Sequence, residues 1–159
     1  MTEFSYQDMF PLGPDETTYR RLTDDFVSTA SFQDKEILLV QPEGLTLLAE
    51  QAFKDVSHLL RPAHLALVQG IFEDPEASEN DRLVALEMIK NAVISAEMVY
   101  PLCQDTGTAV VIGKKGQQVW TGVDDAEALS RGVFNAYTNN FLRYSQNAPL
   151  TMFAEENTR

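Results

Sequence analysis

The feature that most limits what this chain can fold into is a set of apolar residues at helical spacing, punctuated by proline. Leu45, Leu48, Ala52, Val56 and Leu59 step by three and four, which lays one apolar face along a helix from Leu45 to about Leu60. Pro62 cannot continue that helix but suits the first turn of another, so Ala63–Phe72 reads as a second, shorter one. Ser78 precedes Asp81 by three positions, close to a capping box, and opens the longest helical signal in the sequence. Leu86, Ile89, Val93, Ala96 and Tyr100 share its apolar face, and Pro101 marks its expected end. Asp124, with Glu127 three residues on, starts a further helix with Ala126, Leu129, Val133 and Tyr137 along one side.

Strand signals are fewer. Pro11, Gly13 and Pro14 are turn formers, and Ile37–Val40 is a short apolar run that reads as a strand or a tucked-in extended segment. Thr108–Ile112, Gly113–Gly116 and Gln117–Trp120 read as strand, turn, strand. The expected fold is mainly α with a small β-hairpin (α+β). A length of 159 residues, 44% of them hydrophobic, suits one domain over residues 1–159 with its own core. No internal repeat or low-complexity tract interrupts it.

Twelve basic residues stand against twenty-four acidic ones, a formal charge of −12. Such a surface repels phosphate backbones and anionic lipid, so neither nucleic acid nor a membrane is an expected partner. An anionic substrate would need a local basic pocket. The opening residues lack a basic segment followed by an apolar one, and no apolar run is long enough to span a bilayer. The one cysteine, Cys103, excludes an intramolecular disulfide and any site whose several thiolates all come from this chain, which points to a reducing, cytoplasmic setting.

Cys103 sits in Cys103-Gln-Asp-Thr-Gly-Thr108, between the long helix and the expected hairpin. A thiol followed by an amide, a carboxylate and hydroxyls is a compact set of ligand and proton-transfer groups, on the kind of loop where ligands bind. A lone cysteine in a helical protein is also commonly a small buried hydrophobe. Asp105 could equally cap a turn, Arg143 pair with acidic neighbours, and Thr106 and Thr108 shape the loop through bonds to backbone. Gly113-Lys-Lys-Gly116 lacks the ending of a phosphate-binding loop and reads as a turn, while His58 and His64 lack partner ligands and read as core or surface residues. No nucleophile elbow or zinc-protease motif is present.

Pro101-Leu-Cys-Gln-Asp-Thr-Gly-Thr108 resembles the cysteine motif of class I fumarases, the iron–sulfur fumarate hydratases. Leu60-Arg-Pro-Ala-His64, Asp74-Pro-Glu-Ala-Ser-Glu-Asn80, Gly113-Lys-Lys-Gly-Gln117, Val119-Trp-Thr-Gly122 and Leu142-Arg-Tyr-Ser-Gln-Asn-Ala-Pro-Leu150 resemble the same family in the same order. The resemblance covers nearly the whole chain and corresponds to the N-terminal part of a much longer polypeptide. It implies a hydro-lyase that interconverts L-malate and fumarate, a reaction of the tricarboxylic acid cycle, on a 4Fe–4S cluster held by three cysteines. By motif position Cys103 resembles the first of those ligands. Gln104 and Asp105 resemble substrate contacts, Asp105 handling a proton of the leaving hydroxyl, and Arg143 resembles an arginine that grips a substrate carboxylate. A bidentate guanidinium suits that task and supplies the positive pocket that the overall acidity lacks.

The other cluster cysteines and the general base belong to a part of the family's polypeptide beyond this sequence. The chain is therefore expected to be a fragment, split subunit or truncated relative, incompetent alone and completed by the remaining part or a complementary subunit, with a homodimer as the complete form. Apolar faces that would pack on that part should be exposed. The alternatives are a tartrate dehydratase-type α subunit, which shares a similar cysteine motif, and a stand-alone binding or regulatory relative without catalysis.

Overall fold

The structure is a computed structural model and describes residues 3–9, 11, 13–14, 18–103, 107–143 and 146–157. Its first helix, α1, runs Pro42–His58. It begins earlier than the apolar spacing indicates because Pro42, with φ preset for a helix, occupies the first turn after an extended Gln41. The second, α2, is Pro62–Gly70, opened by Pro62 as expected. The third, α3, spans Glu79–Ser95 with the full capping box: the Asp81 amide donates to Ser78 Oγ at 3.2 Å and the Ser78 amide to Asp81 Oδ2 at 2.8 Å. The fourth, α4, is Asp125–Asn139, and the Asp124 carboxylate accepts from the Ala126 amide at 2.9 Å.

Helix α3 stops short of the expected end at Pro101. Ser95 Oγ donates to the His58 carbonyl at 2.9 Å, with the Ala92 carbonyl at 3.1 Å, and Met98 adopts φ 64, which no α-helix continues. Tyr100 is thereby released from the helix to serve elsewhere.

The hairpin is displaced from its expected place. Strands β1 (Val27–Phe32) and β2 (Lys35–Val40) form an antiparallel pair from Val27 opposite Val40 to Phe32 opposite Lys35. Gln33 and Asp34 turn the chain at φ 48 and 61, the left-handed pair that matches the twist of a two-residue hairpin loop. Thr108–Ile112 forms no strand. From that region only β3 (Val119–Trp120) enters the sheet, parallel to β2 and at its far edge from β1. A second small sheet pairs β4 (Asn147–Pro149) with β5 (Glu155–Asn157). The class remains as expected, helical with small sheets.

The dominant packing joins α1 to α4. Thr46 Oγ1 donates to the Ala128 carbonyl at 3.0 Å, Asn135 Nδ2 donates to Glu50 at 3.1 Å, and the rings of Phe53 and Tyr137 lie 6.4 Å apart. Partner numbers rise together, so the two helices run in the same direction and end on the same side of the molecule. They touch at backbone distance. A Cβ on buried Gly132 would strike the Thr46 carbonyl oxygen and come within 2.7 Å of Ala49 Cβ and 2.9 Å of the Glu50 nitrogen. Only glycine permits that approach.

The core is correspondingly small-grained. Among the described residues the buried apolar set is Ile37, Ala49, Val68, Ala85, Ala92, Ala128, Ala136 and Leu142, mostly alanine. Most larger apolar side chains lie outside it: Val56, Leu67, Val110 and Ile112, for example, are each at least 67% exposed. A groove of about 780 Å³ runs between α1 and residues 110–116, floored by Leu45, Leu48, Ala52 and Val56. The 113–116 turn is held to the start of α4 by Lys115, which pairs with Asp125 and bonds to Thr121 at 3.2 Å, while Thr121 also donates to Asp125.

Two outcomes test this account. Gly132→Ala should destabilise by about 1–3 kcal/mol, even though alanine favours helix by about 1 kcal/mol, because overpacking against backbone outweighs propensity. Gly70→Ala, where a Cβ meets nothing within 4 Å, should leave the urea midpoint unchanged or slightly higher. The second outcome concerns acid. Hydrogen bonds from Lys115 and then Thr121 hold the Asp125 carboxyl below its ordinary value of 3.8, and bonds from Ser78 do the same for Asp81. The unfolded chain therefore takes up these protons first as pH falls. Their stabilisation is complete above pH 3.8 and is lost as pH drops from there through the lower folded values. Asp125→Asn should reduce the stability difference between neutral pH and pH 3.8 or below, and an unchanged difference would refute the assignment.

Candidate active site

Three helices bring their C-terminal ends to one side of the molecule. Helix α4 runs parallel to α1, and the last residue of α3, Ser95, bonds to the last residue of α1, His58. The final turn of any helix leaves carbonyls without partners, and those of α1 are taken up systematically. The Leu59 amide donates to the Asp55 carbonyl at 2.8 Å, the Leu102 amide to the Ser57 carbonyl at 2.8 Å, and Ser95 Oγ to that of His58. The segment leading to Cys103 is thus fastened to the end of α1.

His58 belongs to this junction and is fully buried. Its Nδ1 donates to the Lys54 carbonyl at 2.7 Å, while Nε2 has no partner among the described residues. His64 is exposed near the start of α2. Neither stands in a metal-binding group: among the described residues no three or more His, Cys, Asp and Glu side chains converge to hold a metal ion.

Cys103 itself is exposed and free, so the structure overturns the buried-hydrophobe alternative. Its amide donates to Asn91 Oδ1 on α3 at 3.0 Å. Two bonds, one from Leu102 to α1 and one from Cys103 to α3, therefore set the backbone at this position while leaving the sulfur accessible. Gln104, Asp105 and Thr106 lie outside the described residues. Thr108, on the far side of the motif, bonds to a side chain instead of to backbone. Its Oγ1 donates to Gln146 Oε1 at 3.1 Å, and Gln146 Nε2 donates to it at 2.8 Å.

Arg143 is exposed and follows buried Leu142 just beyond the end of α4. Phe141, at φ 56, takes the left-handed position that ends a helix, usually a glycine's place. Its ring meets that of Tyr100 at a centroid distance of 6.2 Å. Two cross-links, Tyr100 to Phe141 and Thr108 to Gln146, thus join residues on either side of the cysteine motif to residues on either side of Arg143. Cys103 lies between the first members of these pairs in sequence and Arg143 between the second. The fold brings the two motif segments together.

Of the residues that anchor and join these segments, Asn91, Ser57 and Phe141 carried no sequence reading, Gln146 stood only within a quoted motif, and Tyr100 was read as part of a helix face instead. Asn91 left one weak trace: asparagine is a poor helix former, yet it stands inside α3.

Residues 46–159 match the family model described as fumarate hydratase (Fumerase). The chain is 58% identical over 155 residues to "Fumarate hydratase class I, anaerobic" of Escherichia coli (strain K12), covering 98% of this chain and 28% of that protein. The aerobic class I fumarate hydratase of the same organism gives the same identity and coverage. "Fumarate hydratase 1, mitochondrial" of Leishmania major is 52% identical over 145 residues, 90% of this chain and 26% of its own length. The chain spans little more than a quarter of the length of these curated relatives. From its ordered motifs, its paired cysteine and arginine segments and these matches, the chain belongs to the fumarate hydratase family.

Proposed function

We propose that this chain is the N-terminal portion of a class I fumarate hydratase-type hydro-lyase, which interconverts L-malate and fumarate, and that it supplies part of that active site. The observation that carries the reading is the double cross-link, Tyr100–Phe141 and Thr108–Gln146, which holds the cysteine segment against the arginine segment. The relatives' name, fumarate hydratase, supports a small dicarboxylate as the substrate class.

Cys103 fits an iron–sulfur cluster as one thiolate donor, being exposed, unpaired by any disulfide and held by its backbone. One sulfur holds one corner of a 4Fe–4S cluster, so the remaining thiolates come from further polypeptide: the rest of the enzyme or a complementary subunit. When bound, the cluster supplies a Lewis-acidic iron to the substrate hydroxyl. The chain's own residues bind and orient. The Arg143 guanidinium pairs with a substrate carboxylate, on a molecule whose net charge of −12 otherwise opposes anion approach. Gln104 orients the substrate through its amide, and the Asp105 carboxyl exchanges a proton with the departing or entering water. The large apolar side chains left exposed beside α1 suit a surface that further polypeptide covers.

The test is a chimera in which this chain replaces the matching stretch of the Escherichia coli anaerobic enzyme, reconstituted with iron and sulfide without oxygen. It should gain a cluster and dehydrate malate, while the 159-residue chain alone should do neither. In the chimera Cys103→Ser should abolish the cluster. Asp105→Asn should lower kcat by about a hundredfold to ten-thousandfold, the usual contribution of a positioned acid or base. Arg143→Lys should raise KM about tenfold to a hundredfold with iron content unchanged, since a charge-assisted bond is worth about 1.5–3 kcal/mol. Full activity in the isolated chain, or wild-type turnover in all three variants, would overturn the reading.

A further inference from the structure

We infer that Asn91 is a positioning residue for Cys103, fixing the backbone from which its sulfur projects; the inference rests on the reading that Cys103 is a cluster ligand. The amide of Cys103, an exposed loop residue, donates at 3.0 Å to Oδ1 of Asn91, a half-buried side chain on α3 twelve positions earlier. The preceding amide, of Leu102, is held by the Ser57 carbonyl at 2.8 Å. Consecutive amides are thus anchored to different helices. With both fixed, the two peptide planes that lead into Cys103 are held, and with them the position of the Cα from which its side chain departs.

The two anchors differ in kind. The Ser57 carbonyl is a helix-end acceptor and would be present whatever side chain stood at position 57. The acceptor from α3 exists only because residue 91 carries a side-chain amide, between Lys90 and Ala92. Asparagine is a costly choice in a helix interior, and Oδ1 reaching a neighbouring loop's backbone is the gain that offsets it. The carboxamide oxygen also presents no net charge to a thiolate, whereas a carboxylate would add one.

The consequence is kinetic as well as geometric. A ligand loop free to swing exposes its metal–sulfur bond to exchange, and loss of an outer partner of a metal ligand costs about ten- to a hundredfold in metal affinity or activity. Asn91→Leu fills nearly the same space without an acceptor, Asn91→Ala is the fallback where that variant fails to fold, and Asn91→Asp keeps an acceptor oxygen. In the 159-residue chain, amide hydrogen exchange by NMR should show Cys103 about fivefold to tenfold faster in the Leu or Ala variant, as expected for loss of one hydrogen bond of about 1 kcal/mol. The Leu102 and Ala96 amides should be unchanged, and Asn91→Asp should restore protection at Cys103. In the reconstituted chimera, the Leu variant should lose its cluster in air about tenfold or more faster, followed by the growth of the oxidised-cluster EPR signal.

Unchanged exchange at Cys103 would overturn the inference. So would a uniform acceleration across α3 and the loop that Asn91→Asp does not reverse, since that marks a merely structural role. An unchanged cluster lifetime would overturn it as well. Failure of the underlying reading is separate: there Cys103→Ser would retain a full cluster, whatever the amide of Cys103 does.

Discussion

The close contact of α1 with α4 at Gly132 is the constraint on which the other arrangements depend. Both helices run in the same direction, so whatever leaves one C-terminal end is delivered beside the other. From α4 the chain passes through Asn140 and Phe141 directly to Leu142 and Arg143. At the end of α1 the Ser57 carbonyl receives Leu102, one residue before Cys103. An antiparallel pair with the same contact area would have sent the arginine segment to the opposite end of the molecule. The alanines at 49, 128 and 136 and the glycine at 132 are therefore as much a part of the site's construction as the polar residues displayed on it.

Converging helix ends also set the local electrostatics. Carbonyl dipoles leave each C-terminal end partially negative, and α1 and α3 meet there with α4 alongside. On a chain with twice as many acidic as basic residues, this end disfavours the approach of an anion. A cation is favoured at such a position. Arg143 follows four residues after the last residue of α4, so the chain carries a cation toward this end of the helices.

The helices were legible because their signals are local. Pro62, the Ser78–Asp81 box and Asp124 each act within a single turn, and each opens a helix where expected. The hairpin was misplaced for equally specific reasons. Its turn, Gln33-Asp34, lacks the glycine or asparagine that advertises left-handed backbone, and β1 reads Val-Ser-Thr-Ala-Ser-Phe with every residue exposed, giving no buried face to detect. Thr108–Ile112, by contrast, is rich in β-branched residues and looked like a strand. β-Propensity measures fit to a neighbouring surface, and here that surface is α1, across whose groove Val110, Val111 and Ile112 lie. The Cys103 segment stood out for its chemistry but could equally have been inert, and Arg143 was singled out only through resemblance to a family. The bonds that gather them, Asn91 to Cys103 and Gln146 to Thr108, span twelve and thirty-eight positions and leave no periodic trace.

The division of side-chain size between interior and surface follows from the same design. Backbone-close helix docking requires small residues at the interface, and the buried set is accordingly dominated by alanine. Alanine removes little apolar area from water, so this core contributes less per residue than one of leucine and isoleucine. The larger side chains, Leu48, Val56, Val110 and Ile112 among them, keep their apolar area in reserve on the walls of the α1 groove. Covering that area would add hydrophobic stabilisation directly to the helix that anchors Leu102. Any polypeptide that packs there would therefore stabilise the cysteine segment through α1, so that packing on the groove and the rigidity of that segment are linked by one helix.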